Sequence, residues 1–330
     1  MTETNKRPAT ALVLAAFAAV YLLWGSTYMA IIFALKTMPP LLMAGARFLL
    51  AGAVLYGFMR LRGEPAPARR HWRTTAIIGA LLLMCGNGGV TLAERTVPSG
   101  VAALLVAMVP MWMALLEWLR PGGNRPTART LLGLLVGFAG IVVLVGPGAL
   151  GSEGVDLFGA GLVMMGSLAW AGGSIYSRGA DLPKSALLAT GMEMLWGGLW
   201  LTLAGALTGE LGRVDPSAFS TESILAYLYL VVFGSLVGFS AYIWLLGVST
   251  PARVSTYAYV NPVVAVLLGW WLLDEPLTAR VLGAAAIIVV AVAVITTGKR
   301  PPTDGAESAE SGEGGRADPR PAGQGRRNAA

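Results

Sequence analysis

Long apolar stretches alternate with short polar loops along most of this chain. A helix needs about 20 apolar residues to cross the roughly 30 Å hydrocarbon core of a bilayer, and ten stretches approach that length. They predict ten transmembrane helices, at residues 11–33, 41–59, 74–93, 98–118, 129–147, 156–178, 186–207, 224–246, 251–273 and 277–297. The Gly-, Pro-, Glu- and Arg-rich residues 298–330 predict a disordered tail.

The composition supports an all-α membrane protein. Hydrophobic residues make up 55% of the chain and charged residues 13%, whereas soluble domains carry about 25% charged residues. The apolar run after Lys6 and Arg7 is longer than the ~7–15-residue core of a signal peptide, which predicts a retained first helix. With only one cysteine, Cys85, and one histidine, His71, we expect no metal site, no cofactor and no catalytic centre.

The basic residues indicate the topology. With ten spans both termini lie on one side, and that side carries 19 of the 24 Lys and Arg residues. The opposite side carries 4, and Arg47 lies inside a span. The positive-inside rule therefore predicts that residues 1–10 and 298–330 are both cytoplasmic. The excess of positive charge is thus explained by topology, and no nucleic-acid partner is expected.

The chain also repeats itself. Shifted by 146 residues, and later by about 150 to 153, it aligns with itself at several landmarks. The aligned pairs are Trp24 with Trp170, Gly45 with Gly191, Arg47 with Glu193, Gly52 with Gly198, Pro98 with Pro251, Pro110 with Pro262, Pro126 with Pro276, and Gly133 with Gly283. Two repeats of five helices are predicted, at 11–147 and 156–297. An odd number of spans per repeat inverts the second copy, an arrangement typical of transporters with a central site.

Several of these stretches resemble a known family. LLWGSTYMAI, GNGGVTLAE, VPSGVAALLVAMVP, SLAWAGGSIYSR and YAYVNPVVAVLLG are similar to signature stretches of the EamA-type drug/metabolite transporters, and most similar to the YedA-like exporter branch. The resemblance covers residues 10–297. It implies a ten-helix, inverted-repeat carrier with a central cavity that moves small metabolites or drugs outward. Glu275, in DEPLT, matches an acidic residue of the family, but the first repeat has no counterpart, so we interpret it as a loop feature.

Polar and aromatic residues inside apolar helices are the candidates for the cavity, because their polar atoms avoid lipid. Trp24 and Trp170 lie about 14 residues into their spans and are interpreted as aromatic walls, the alternative being an interfacial belt. Tyr257 precedes Asn261 by one helical turn and shares its face. The proposed substrate-binding set is Trp24, Ser26, Tyr28, Asn87, Trp112, Trp170, Ser174, Tyr257 and Asn261. Pro110 and Pro262 are predicted helix breaks that line the site, or else packing devices.

Charges within the spans have a high insertion cost. Arg47 and Glu193 occupy equivalent positions and are predicted either to pair or to bind backbone carbonyls in their own repeats. Asn87, Thr91 and Glu94 share one helix face and form a candidate polar exit path; alternatively, Glu94 anchors a helix end. Arg47, Glu94 and Glu193 are the candidate coupling residues.

The sequence thus predicts a secondary transporter of the bacterial inner membrane that exports amino-acid-like or purine-like metabolites, or drugs, by alternating access. Proton antiport is a hypothesis that rests on Glu94 and Glu193. The alternatives are an uncoupled uniporter, a membrane enzyme acting on lipid intermediates, and a sensor or scaffold. The expected partners are a small-molecule substrate and the lipid bilayer, and the sequence leaves the oligomeric state open.

Overall fold

The computed structural model describes residues 10–121, 127–145, 156–249, 254 and 256–296. The predicted cytoplasmic N-terminal segment and the predicted disordered tail lie outside these residues. All regular secondary structure in the described ranges is helical. The helices are α1 (Thr10–Leu35), α2 (Pro40–Leu61), α3 (Arg69–Gly79), α4 (Gly88–Ala93), α5 (Ser99–Val106), α6 (Val109–Leu119), α7 (Ala128–Val145), α8 (Leu157–Gly179), α9 (Ala186–Leu207), α10 (Thr221–Tyr229), α11 (Gly238–Val248), α12 (Tyr257–Leu272) and α13 (Ala279–Thr296).

Two π-helical segments complete this order. We label them π1 (Ala80–Asn87), between α3 and α4, and π2 (Leu230–Val237), between α10 and α11. Two short 3₁₀ turns, Glu210–Arg213 and Pro216–Ala218, connect α9 to α10. Each π segment continues the helices on either side of it, so α3–π1–α4 and α10–π2–α11 are long composite helices.

Seven helices in the described residues are long and apolar enough to cross a membrane. Three further apolar helices are shorter: Ala128–Leu144, Val260–Leu272 and Ala279–Val294. These ten segments overlap the ten predicted spans one for one, although Val260–Leu272 covers only part of the span predicted at 251–273. The all-helical membrane architecture is confirmed. Seven of the ten segments are long enough to span a membrane by themselves, and the other three are too short to meet that criterion.

The two halves of the structure match at the offsets found in the sequence. Helices α2 and α9 have the same length and are separated by 146 residues at both ends. Each is followed by a glycine with positive φ, Gly63 and Gly209, a conformation that suits glycine because it has no Cβ. Segments π1 and π2 are separated by 150 residues at both ends. The repeat predicted from scattered Trp, Gly and Pro pairs is therefore present in the backbone.

Helices α2 and α9 cross at their glycines. A Cβ built on Gly198 would lie 2.6 Å from Leu49 N and 2.9 Å from Gly45 O. A Cβ on Gly52 would lie 2.9 Å from Gly191 O. Gly45 therefore contacts Gly198, which is the repeat equivalent of Gly52. Gly52 in turn contacts Gly191, the repeat equivalent of Gly45. This reciprocal, antiparallel pairing is what a twofold axis between inverted repeats produces.

The two predicted helix breaks behave differently. Helix α5 ends at Val106 and α6 starts at Val109, with Pro110 in its first turn. Because proline has no N–H, Pro110 cannot bond the carbonyl four residues earlier, at Val106. In contrast, α12 continues from Tyr257 to Leu272 through Pro262. The predicted break at Pro262 is therefore wrong: its helix tolerates one missing hydrogen bond without interruption.

Carboxylates from distant loops cap two helices. Glu275 Oε1 accepts a hydrogen bond from Ser99 N at 2.6 Å, and Oε2 accepts one from Gly100 N at 3.1 Å. Glu210 accepts similar bonds from Leu41 N and Leu42 N. Both carboxylates satisfy N–H groups that have no partner within their own helix. Glu275 is therefore a loop residue with a structural role, as the asymmetry of the sequence indicated.

Asp156 caps α8 with hydrogen bonds that favour its ionised form. Its carboxylate accepts hydrogen bonds from Phe158 N, Gly159 N and the Thr96 hydroxyl. The Thr96 bond, followed by the backbone bonds, lowers the pKa of Asp156 below its ordinary value of 3.8. A lowered pKa in the folded state means that this stabilisation is present above the unfolded-state pKa and is lost as the pH falls through the folded-state value.

We expect Asp156→Ala to lower the thermal midpoint at pH 7, because the cap is lost. The difference from the wild type should shrink as the pH falls below about 4, the pKa of an aspartate in the unfolded chain, because protonation of the unfolded state then reduces the contribution of the cap. Thermal unfolding of both proteins in detergent between pH 3 and 8 checks this. A difference that stays constant down to pH 3 would contradict the assignment.

Candidate functional site

A cavity of about 120 Å³ lies between the two repeats. Its walls are mainly aromatic and aliphatic, with a few polar groups. It is lined by Trp24, Thr27, Tyr28, Ile31, Arg47, Gly86, Asn87, Val90, Ala103, Val106, Ala107, Val109, Gly166, Ser167, Trp170, Gly234, Phe239, Tyr257, Ala258, Asn261 and Pro262. Apolar walls with a few converging polar groups are typical of small-molecule sites.

Trp24 forms one aromatic wall and is held from several sides. Its Nε1 donates a hydrogen bond to Gly234 O at 3.2 Å. Its ring makes edge contacts with Phe239 and Tyr257, at centroid distances of 5.2 and 5.3 Å. These contacts fix the ring against π2 and α12, so the polar half of α1 faces protein and the cavity.

Trp170 occupies the equivalent place in the second repeat. A Cβ on Gly86 in π1 would lie 2.9 Å from its ring, just as a Cβ on Gly238, directly after π2, would lie 2.5 Å from Trp24 Nε1. Each tryptophan therefore packs on a glycine in or beside the π segment of the opposite repeat. π-helical turns are frequent at functional sites, and here both adjoin the cavity.

Asn261 and Tyr257 lie on the cavity wall, as their spacing on one helix face indicated. With its amide oriented to satisfy its hydrogen bonds, Asn261 donates from Nδ2 to Tyr257 O and Tyr21 O, both at 3.3 Å. The bond to Tyr21 O connects α12 to α1.

Two further predicted residues, Asn87 and Arg47, also line the cavity. The Oδ1 atom of Asn87 is buried and has no hydrogen-bond partner among the described residues. Arg47 is 3% exposed, and its Nε donates to Ser235 Oγ at 2.9 Å. Arg47 and Glu193 form no ion pair within the described part of the chain. Of the two predicted alternatives, direct pairing is therefore wrong.

Glu94 does not belong to the cavity lining. Its carboxylate is buried, and neither oxygen has a hydrogen-bond partner in the described ranges. Electrostatic interactions connect it to Arg47, Glu275 and Tyr28. Thr91, the middle residue of the predicted polar exit path, is 1% exposed, and its hydroxyl donates to Asn87 O in its own helix.

Three predicted binding residues lie outside the cavity lining. Ser26 Oγ donates to Leu23 O and pairs with the Tyr229 hydroxyl. Ser174 donates to Trp170 O within α8. Trp112 Nε1 donates to Ser167 Oγ at 3.0 Å, so it supports a cavity residue from behind. Hydroxyl groups can satisfy their own helix backbone, which is why polarity alone did not locate the cavity face. Pro110 and Glu193 are also absent from the lining.

The structure adds cavity residues that the sequence pattern did not single out. Phe239 and Ser167 come from α11 and α8, and Gly234 comes from π2. The glycine-rich stretches GNGG, in the third span, and FGSLVG, at the equivalent place in the second repeat, coincide with π1 and π2. Comparing the two repeats around these glycines would have found π2.

Comparisons with known proteins agree with this architecture. The model of the EamA-like transporter family matches residues 10–146 and again 157–297, so the chain carries two copies of one membrane-transporter domain. The chain belongs to the EamA-like transporter family.

Relatives support the same assignment over most of their length. The inner membrane transporter YedA of Escherichia coli (strain K12), itself described as uncharacterized, is 42% identical over 282 residues, covering 85% of this chain and 89% of the relative. The transporter YvbV of Bacillus subtilis (strain 168), also described as uncharacterized, is 24% identical and covers 84% and 88%. One crystal structure matches with a TM-score of 0.57 at 20% identity over 87% of this chain and 97% of that chain; it supports the fold alone.

Proposed function

We propose that this protein is a secondary transporter that exports small metabolites or drugs by alternating access. The observation that carries this proposal is the cavity between the repeats, whose two tryptophans pack on the π segments of opposite halves. A site at the interface of inverted repeats becomes accessible from either side when one half rocks against the other. We propose that all ten helical segments cross the membrane.

We further propose that the protein resides in the bacterial inner membrane with both termini in the cytoplasm. The YedA relative is named an inner membrane transporter, and the Lys and Arg distribution supports the orientation. Aromatic walls with amide groups fit amino-acid-like and purine-like metabolites, as well as planar drugs.

Untargeted analysis of culture medium tests export directly. Cells that overproduce the wild type should release a metabolite that cells overproducing Trp24→Ala do not release. A substrate found in this way can then be used in reconstituted vesicles. If the two strains release the same metabolites while both proteins are present in the membrane, the protein does not export a metabolite that these cells make.

We propose Glu94 as the proton-carrying group of an antiport cycle. A buried carboxylate without a hydrogen-bond partner is costly when ionised. Glu94 should therefore bind a proton while it is buried and release it when a conformational change exposes it to water. Arg47 on α2, Tyr28 on α1 and Glu275 in the loop before α13 interact with it electrostatically.

In proteoliposomes, an imposed pH gradient should stimulate wild-type transport of the identified substrate. Glu94→Gln should keep transport down a substrate gradient but lose the stimulation, because glutamine cannot carry a proton. Glu193→Gln is the comparison, because Glu193 is the second candidate coupling residue and lacks the electrostatic interactions with Arg47 and Tyr28 that Glu94 makes. Wild-type transport that is indifferent to the gradient would favour the uncoupled uniporter. A chemically altered product would favour the membrane enzyme.

A further inference from the structure

Arg47 is a buried cation that faces the central cavity without an acidic partner. It lies two turns into α2, is 3% exposed and belongs to the cavity lining. None of the acidic residues in the described ranges lies within ion-pair distance of its guanidinium. A cation in this position is among the most costly groups in a membrane protein, and such groups are typically functional.

The hydrogen-bonding capacity of Arg47 is mostly unused. A guanidinium carries five N–H donors, and among the described residues one is bonded, from Nε to Ser235 Oγ at 2.9 Å. The Phe48 ring lies on one face, with its centroid 4.7 Å from Cζ. A Cβ on Gly234 would lie 3.1 Å from Nη2, so the guanidinium packs closely against the glycine of π2, where a side chain would crowd it.

Glu94 is the acidic residue that could neutralise Arg47 in place of a bound anion, yet it forms no hydrogen bond or ion pair with Arg47. The two groups attract each other through space. However, both carboxylate oxygens of Glu94 lack hydrogen-bond partners, and Glu94 does not line the cavity. The terminal nitrogens of Arg47 are therefore open to an anion that enters the cavity itself.

We propose that Arg47 binds an anionic group of the substrate, and that the substrates are small organic anions with a planar apolar body. The planar guanidinium binds a carboxylate through two parallel hydrogen bonds. Trp24 and Trp170 supply aromatic surface for the body of the molecule, and Asn87 supplies a polar contact. Outward movement of an anion and inward movement of a proton are both favoured by a membrane potential that is negative inside.

This inference rests on the proposed transport cavity, and a binding measurement tests it separately from transport. The probes are benzoate and benzamide, which have nearly the same shape and differ in charge. Both are titrated by calorimetry at pH 7 into purified full-length protein in lipid nanodiscs. We expect the wild type to prefer benzoate by about tenfold, the effect of one charge-assisted hydrogen-bonded contact.

Arg47→Gln should weaken benzoate binding by about tenfold and leave benzamide binding unchanged, because only the charged contact is lost. Arg60→Gln is the matched control, since Arg60 is exposed in the last turn of the same helix. It should bind both probes like the wild type. Arg47→Lys should keep part of the preference, and it remains informative if the glutamine variant does not fold.

Equal binding of the two probes by the wild type, no detectable binding of benzoate, or a preference that survives in Arg47→Gln would overturn the proposal. A wild type that exports a neutral metabolite without binding benzoate would refute the anion site but not export. A wild type that binds benzoate through Arg47 yet transports nothing in vesicles would refute export but not the anion site.

Discussion

Replacing Trp24 with alanine should abolish export while the protein still inserts and accumulates normally. Trp24 contributes a cavity wall and donates a hydrogen bond to Gly234 O in π2. Its removal takes away a large aromatic surface from the site, where such surfaces contribute much of the binding energy. The remainder of α1 keeps its apolar faces, so insertion should be unaffected. Export by vesicles and protein yield in membranes are the two measurements.

Two further variants, Asn261→Ala and Gly238→Ala, test the same side of the cavity. Asn261→Ala should also abolish export, since Asn261 lies in the lining and connects α12 to α1. Gly238→Ala should impair export by displacing Trp24, because the new Cβ would lie 2.5 Å from its Nε1. Gly161→Ala is the matched control, with no atom within 4 Å of its Cβ position. Normal export by Trp24→Ala and Asn261→Ala would show that the binding site lies elsewhere.

Gly198→Ala should destabilise the protein markedly, although it adds only one methyl group. The new Cβ would lie 2.6 Å from Leu49 N and 2.9 Å from Gly45 O. Because both are backbone atoms, helices α2 and α9 would have to move apart. Overpacking of this kind costs about 1–3 kcal/mol in the free energy of unfolding. Gly52→Ala should have a similar effect at the reciprocal contact.

The control for this prediction is Gly57→Ala, on the free side of α2. No atom lies within 4 Å of its Cβ position, and alanine is the better helix former by about 1 kcal/mol. Its thermal midpoint in detergent should equal or exceed that of the wild type. If Gly198→Ala were as stable as Gly57→Ala, the close pairing of α2 with α9 would be wrong.

The two predictions differ in how much of them the sequence anticipated. The aligned pairs Gly45 with Gly191 and Gly52 with Gly198 identified a repeat, but not that these glycines contact one another. Trp24 was predicted to form a cavity wall from its depth in an apolar span. Its partners, Gly234 and Phe239, come from a helix more than two hundred residues away, which local patterns cannot identify.

The sequence by itself determined the helical membrane class, the positions of the helical segments and the duplication, because apolar length and repeated residues are local properties of the chain. Only the tertiary structure decided which polar groups meet. It separated Ser26, Trp112 and Ser174 from the cavity, and it left Arg47 facing the cavity without a bonded acid. It also set the π-helical geometry beside both tryptophans. Which groups meet depends on how distant helices pack, and the spacing of residues along one helix does not contain that information.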